Sequence, residues 1–129
     1  MTTGPSDLNG LKVLVVEDNL LLAEVICDVL ESYGCEVVGP VPDVAQGLAL
    51  AREAKLDGAV LDINLGGEPC FPIATALAER TIPYLFLTGY DNSRIIPAEH
   101  RGAERIPKPV DPAALSAAIA DCFRMPSIN

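Results

Sequence analysis

Val60-Leu61-Asp62-Ile63-Asn64-Leu65-Gly66-Gly67 is an apolar run that delivers one carboxylate, Asp62, and then breaks into a glycine pair. Alone the pattern is ordinary. Its weight comes from three other stretches that stop in the same way. Leu11-Lys12-Val13-Leu14-Val15-Val16 ends at Glu17-Asp18, Pro83-Tyr84-Leu85-Phe86-Leu87 ends at Thr88-Gly89, and Ala103 to Ile106 leads into Lys108-Pro109. Nearly continuous apolar runs of this length are the pattern of strands covered on both faces. Four of them finish on an acidic pair, an acid, a hydroxyl and an amine. That order points to one site gathered at the carboxyl edge of a sheet.

The segments between the runs carry helical spacing. Leu22, Val25, Ile26, Val29, Leu30 and Tyr33 recur at 3.6-residue intervals and Gly34 supplies the stop. A second strand is expected from Cys35 to about Gly39. Pro42-Asp43 then opens a helix with Val44, Leu48 and Ala51 on its stripe, running to Ala54. The Asp62 strand starts near Asp57. A third helix is expected within Pro69–Arg80, facing inward through Phe71, Ala74, Leu77 and Ala78. Residues Asp91–Arg101 contain Pro97 and no clean apolar stripe, so a short or mobile helix fits as well as a firm one. Asp111 caps a last helix, with Pro112 in its first turn and Leu115, Ala118, Ile119 and Cys122 as its buried face.

Strand and helix thus alternate five times without repeats. The fold class read from this is α/β, a doubly wound five-stranded parallel sheet in a single domain over 10–125, with tails at 1–9 and 126–129. In open sheets of this kind, ligands sit beyond the carboxyl ends of the strands.

Composition narrows the function classes. At 129 residues the chain suits one domain. Half its residues are apolar and its mean hydropathy is +0.31, against disorder. No apolar run approaches the roughly 20 residues of a membrane span, and Met1 to Asp7 lacks the features of a signal peptide. A cytoplasmic protein with no membrane contact is expected. A net charge of −9 argues against nucleic acid and suits a basic partner or cations. Cys27, Cys35, Cys70 and Cys122 form no CxxC and have no paired His, so they read as small buried hydrophobes rather than zinc ligands.

Taken singly, Glu17 or Asp18 would serve as a helix cap, Thr88 as a turn residue and Lys108 as a solvated charge. Together they form a chemical set. Crowded at one edge, Glu17, Asp18 and Asp62 repel one another and call for a cation or a proton. An all-oxygen ligand set favours Mg²⁺, with Mn²⁺ possible, and the Asn64 backbone carbonyl could add a further oxygen. A carboxylate beside such a metal can take a phosphoryl group covalently. Lys108 and the Thr88 hydroxyl could then meet phosphoryl oxygens, with Gly89 leaving its N–H accessible.

With these residues in hand, the chain resembles the receiver domain of two-component response regulators over about residues 10–125. Val16-Glu17-Asp18-Asn19 looks like the family's acidic pair, Asp62 its phosphoacceptor, Thr88 its switch hydroxyl and Lys108-Pro109 its lysine–cis-proline element. Pro83 to Tyr90 is similar to the motif of the FATGUY subclass, departing at Tyr84 and Leu87. The resemblance implies a flavodoxin-like fold and Mg²⁺-dependent acceptance of a phosphoryl group from a sensor histidine kinase or a histidine phosphotransfer protein. It implies autodephosphorylation chemistry rather than an enzyme with an outside substrate. A further protein target is unnamed, and monomer and weak dimer fit equally.

Where the family carries an aromatic residue three before the lysine, this chain has Arg105. The expected substitute for the usual switch is that phosphorylation draws Thr88 inward and reorders Gly89–Gly102, with Tyr90 as a candidate filler of the aromatic's space. The chain ends soon after Phe123, so action by partner binding, or as a phosphoryl sink or relay, is expected. The switch faces would be the last helix and the Asp91–Arg105 surface. Leu20 and Leu21, left over from the first helix's core stripe, mark a docking face for the kinase side. Three other readings compete. A flavodoxin-like cofactor carrier would need a phosphate loop where Glu17-Asp18 stands. An aspartyl phosphatase would need an acid where Asn64 stands. A degenerate receiver that only binds protein would not need all of these polar groups.

Overall fold

A computed structural model describes residues 8–89 and 95–123. Five parallel strands form one sheet in the order β2-β1-β3-β6-β7: β1 (Lys12–Val16), β2 (Glu36–Val41), β3 (Gly58–Asp62), β6 (Tyr84–Thr88) and β7 (Glu104–Pro107). The order reverses between β1 and β3, as in flavodoxin-like sheets, and the expected fold class stands. Between β3 and the next helix lies a short antiparallel hairpin, β4 (Asn64–Leu65) and β5 (Glu68–Pro69).

The period-2 alternation of the strands builds two cores. Leu14, Val16, Ala59, Leu61 and Phe86 point to one face, where α2 (Val44–Glu53) and α3 (Phe71–Glu79) pack together. Val13, Val15, Val60, Leu85 and Leu87 point to the other, covered by α1 (Leu20–Ser32) and α4 (Pro112–Phe123). Every residue of β3 is buried, which is why that run has no polar alternation. Asp43 caps α2 by accepting from the Gln46 N–H, and Asp111 accepts from the Ala113 N–H at the start of α4. No helix among the described residues is long and apolar enough to cross a membrane.

Several expectations shift. The β4–β5 hairpin stands where the sequence suggests only a glycine turn, whereas α3 (Phe71–Glu79) falls inside the Pro69–Arg80 stretch expected to contain it. Its buried face is Ile73, Ala74, Ala76 and Leu77; Ala78 is exposed and Phe71 half-buried. On α4, Phe123 is buried and Cys122 only partly so. β2 runs on through Pro40 to Val41, an extension that an edge strand tolerates because one side needs no N–H partner. Leu8, assigned to the polar tail, is buried beside Ile26 and Leu115. Of the Asp91–Arg101 segment, the described part contains the 3₁₀ turn Ala98–His100 and no α-helix, while residues 91–94 lie outside the described residues.

Gly47 lets α2 lie close to its neighbours. A Cβ there would sit 2.6 Å from Ile73 Cδ1 and 3.2 Å from Val16 Cγ2. At Gly102 a Cβ would meet nothing within 4 Å. Gly47→Val should therefore lower the unfolding free energy by about 1–3 kcal/mol through overpacking, with Gly102→Ala near neutral. Urea denaturation of both variants checks this, and equal midpoints would contradict the close approach.

Candidate functional site

β1 and β3 lie side by side in register, Val16 opposite Leu61, so the residues that follow them emerge together. β6 adds Thr88 at its last position, paired with Pro107 of β7, and Lys108 follows at once. Parallel pairing thus sets the four polar endings along one edge, as the spacing predicts.

Glu17, Asp18 and Asp62 converge, each offering a carboxylate oxygen within 4.8 Å of the others. Asp62 is 1% exposed and Glu17 2%, whereas Asp18 faces solvent. The Lys108 ammonium supplies the opposing charge, with Nζ 2.8 Å from Asp62 Oδ2 and 3.8 Å from Glu17 Oε1. Asp62 Oδ1 also accepts the Asn64 N–H at 3.2 Å. Asp18 Oδ2 accepts the Gly66 N–H at 3.0 Å, and Glu17 Oε2 accepts the Asn19 N–H at 3.0 Å. The cap of α1 is Asn19, whose side chain accepts from Leu21 and Leu22 N–H groups, so neither acid is used up as a cap.

Glu17 Oε1 is buried with no hydrogen-bond partner among the described residues. Leaving such an oxygen unsatisfied is costly, and a missing ligand is one standard cause. Burial pushes the Glu17 carboxyl from 4.5 up to about 8; the Asp62 carboxylate adds to the shift, while the Asn19 N–H and Lys108 pull against it. A divalent cation relieves both problems, and three carboxylates without His or Cys suit Mg²⁺.

Thr88 is buried at the strand end, its hydroxyl directed 3.5 Å to the Ile106 carbonyl and its own carbonyl accepting the Lys108 N–H at 2.8 Å. Gly89 follows, half-buried. The Lys108-Pro109 peptide is cis, as the resemblance implies. Asn64 is exposed, and its side chain accepts the Gly67 N–H at 2.9 Å. Arg105 lies on β7, exposed, and donates to the Arg101 carbonyl at 3.0 Å, so it is not gathered with the acids. Tyr90 lies outside the described residues.

Sequence reasoning passed over His100. It is 2% exposed; its Nδ1 pairs with the Tyr84 hydroxyl and its Nε2 lies 3.2 Å from Thr75 Oγ1. Its ring stacks on Phe71 and meets Phe86 edge-on. This network fastens the 3₁₀ turn to α3 and β6. A lone His in a segment without periodicity carries no signal of such partners.

Comparison with known proteins comes out on one side. The family model described as response regulator receiver domain matches residues 13–120. The phyllosphere-induced regulator PhyR of Methylorubrum extorquens is 29% identical over 115 residues, which are 87% of this chain and 43% of that protein. An uncharacterized response regulatory protein of Vibrio cholerae is 27% identical, over 88% of this chain and 49% of that one. The chain therefore spans under half the length of these curated relatives. The solution structure of SdrG from Sphingomonas melonis Fr1 is 37% identical with a TM-score of 0.74, covering 89% of this chain and 96% of that one. The response regulator PhyR from Brucella abortus is 27% identical with a TM-score of 0.76, covering 92% and 50%. Likeness to SdrG and PhyR agrees with the FATGUY resemblance.

The raised Glu17 carboxyl sets a pH dependence in the absence of divalent ions. Between 4.5 and about 8 the folded chain holds a proton that the unfolded chain releases. Stability should therefore fall as pH rises through that window. Urea midpoints measured in chelator across it should decline for the wild type, and Glu17→Gln should flatten the slope. A wild-type profile that rises, or one identical to that of Glu17→Gln, would contradict this.

Proposed function

The chain belongs to the response regulator receiver domain family, and from that premise we propose that Asp62 accepts a phosphoryl group from a phosphohistidine in a Mg²⁺-dependent reaction. One observation carries the reading. A buried carboxylate oxygen of Glu17, without a hydrogen-bond partner, lies in the same cluster as a buried Asp62 held by a lysine.

Each group has a task. An Asp62 carboxylate oxygen attacks phosphorus as the N–P bond of the donor breaks, giving an acyl phosphate and free imidazole. Glu17, Asp18, Asp62 and the Asn64 carbonyl would hold the metal, with Mg²⁺ fitting best and Mn²⁺ able to replace it. When bound, the ion supplies charge neutralisation at the phosphoryl oxygens. Lys108, already 2.8 Å from Asp62, keeps that carboxylate in place and moves with the new charge to a phosphoryl oxygen. Thr88 would leave the Ile106 carbonyl for another such oxygen, and the Gly89 N–H lies at the same strand end. Water attack on the acyl phosphate returns Asp62, so the chain is a phosphoacceptor rather than an enzyme with an outside substrate.

Receiver domains work with kinases or phosphotransfer proteins. On this chain the donor would dock beside Lys108. Leu20 and Leu21 are 78% and 76% exposed. A shallow groove runs from Leu21, Leu22 and Val25 to Pro109 and Val110, next to Lys108. Phosphorylation would be passed on through α4 and the residue 95–105 surface, where the exposed Arg105 leaves the usual aromatic switch without its side chain. The competing cofactor-carrier and phosphatase readings have no comparable support.

Incubation with a small-molecule phosphodonor and Mg²⁺ should add the mass of one phosphoryl group to the wild type. Chelator or Asp62→Asn should abolish it, and Lys108→Ala should slow it by roughly 10²-fold, as loss of a charge-stabilising group does. Modification that persists in Asp62→Asn would remove the assignment. Amide exchange over residues 95–102 should slow once Asp62 carries a phosphoryl mimic; unchanged exchange would exclude reordering of that segment.

A further inference from the structure

Apart from the Asn64 carbonyl at its start, the β4–β5 hairpin and its Gly66-Gly67 tip have no task in the chemistry so far. Asp18 is the exposed member of the acidic cluster and stands on the loop after β1. Its partner is the backbone N–H of Gly66 at the hairpin tip, 3.0 Å from Oδ2. The hairpin is itself well anchored. Leu65 is buried in the core with Ile63, Cys70 and Phe86, and the Cys70 N–H donates to the Ile63 carbonyl at 2.8 Å. Asn64 Oδ1 closes the tip by accepting the Gly67 N–H. Gly66 has φ +63°, a left-handed conformation that turns the chain at the hairpin tip and so fixes where its N–H, bonded to Asp18, is held.

We propose that the β4–β5 hairpin is a positioning element for the metal site, its Gly66 N–H holding the Asp18 carboxylate in the geometry that a divalent cation needs. Asp18 Oδ2 accepts the hairpin N–H while the carboxylate still offers an oxygen within 4.8 Å of those of Glu17 and Asp62. An N–H donor behind a ligating carboxylate orients it and lowers the cost of ordering it on binding. The inference rests on the reading that the acidic cluster holds Mg²⁺, and it assigns Gly66 its role through backbone conformation alone. Space is not the reason for glycine here, since a Cβ at Gly66 would meet nothing within 4 Å.

That separation makes the test specific. Gly66→Val cannot keep the left-handed conformation at low cost and should turn the N–H away from Asp18. Gly66→Asn tolerates that conformation and should keep the contact. Mg²⁺ titration calorimetry on the whole chain, with amide spectra to confirm the fold, should show about 10-fold weaker binding for Gly66→Val, the scale seen on losing a partner behind a metal ligand. Gly66→Asn should stay close to wild type. Equal affinities for Gly66→Val and wild type, or equal losses in both variants, would overturn the positioning role and leave the metal site standing. Absence of Mg²⁺ binding by the wild type would overturn both.

Discussion

Three carboxylates forced together at the end of a sheet are the constraint to which the rest of this molecule answers. A like-charge pair about 4 Å apart costs roughly 4 kcal/mol at an effective dielectric near 20, and burial of Glu17 and Asp62 raises that cost. The chain offsets it by bringing one ammonium, Lys108, from the end of β7 to within 2.8 Å of Asp62. Glu17 receives less, since Lys108 stands 3.8 Å from an oxygen that has no hydrogen bond. The residual imbalance is what makes the pocket a receptor for positive charge.

Parallel topology is the means by which that crowding is sustained. β1 and β3 are central strands buried on both faces, and their ends cannot splay without breaking two cores. β6 and β7 are locked to them in register, so Lys108 enters the site at a height decided by the Thr88–Pro107 pairing. The repulsion is therefore borne by the apolar packing of α1 and α4 on one face and α2 and α3 on the other. A molecule built this way holds its charges in place before any phosphoryl group arrives, as electrostatic stabilisation of the transfer requires.

One connection at the side of this frame carries little regular structure among its described residues. The connection from β6 to β7 has, among its described residues, no α-helix but the 3₁₀ turn Ala98–His100, fastened by His100 to Tyr84 and Thr75. Thr88, whose hydroxyl lies 3.5 Å from the Ile106 carbonyl, sits at the root of that connection.

Sequence alone determined the sheet, the site edge and the identities of its charged residues. Continuous apolar runs ending on Glu17-Asp18, Asp62, Thr88 and Lys108 can be read because strand burial and strand ends are local properties of composition. It did not disclose the β4–β5 hairpin, the true inward face of α3, or the burial of Leu8 and His100. The hairpin has only two residues per strand, too few for period-2 alternation to register. Only the tertiary structure decided that Asn19, not an acid, caps α1, that Arg105 lies outside the cluster, and that Asp18 is held by Gly66. Those outcomes depend on hydrogen bonds between residues far apart in the chain or on competition among neighbours for one donor, and neither leaves a periodic trace in the order of residues.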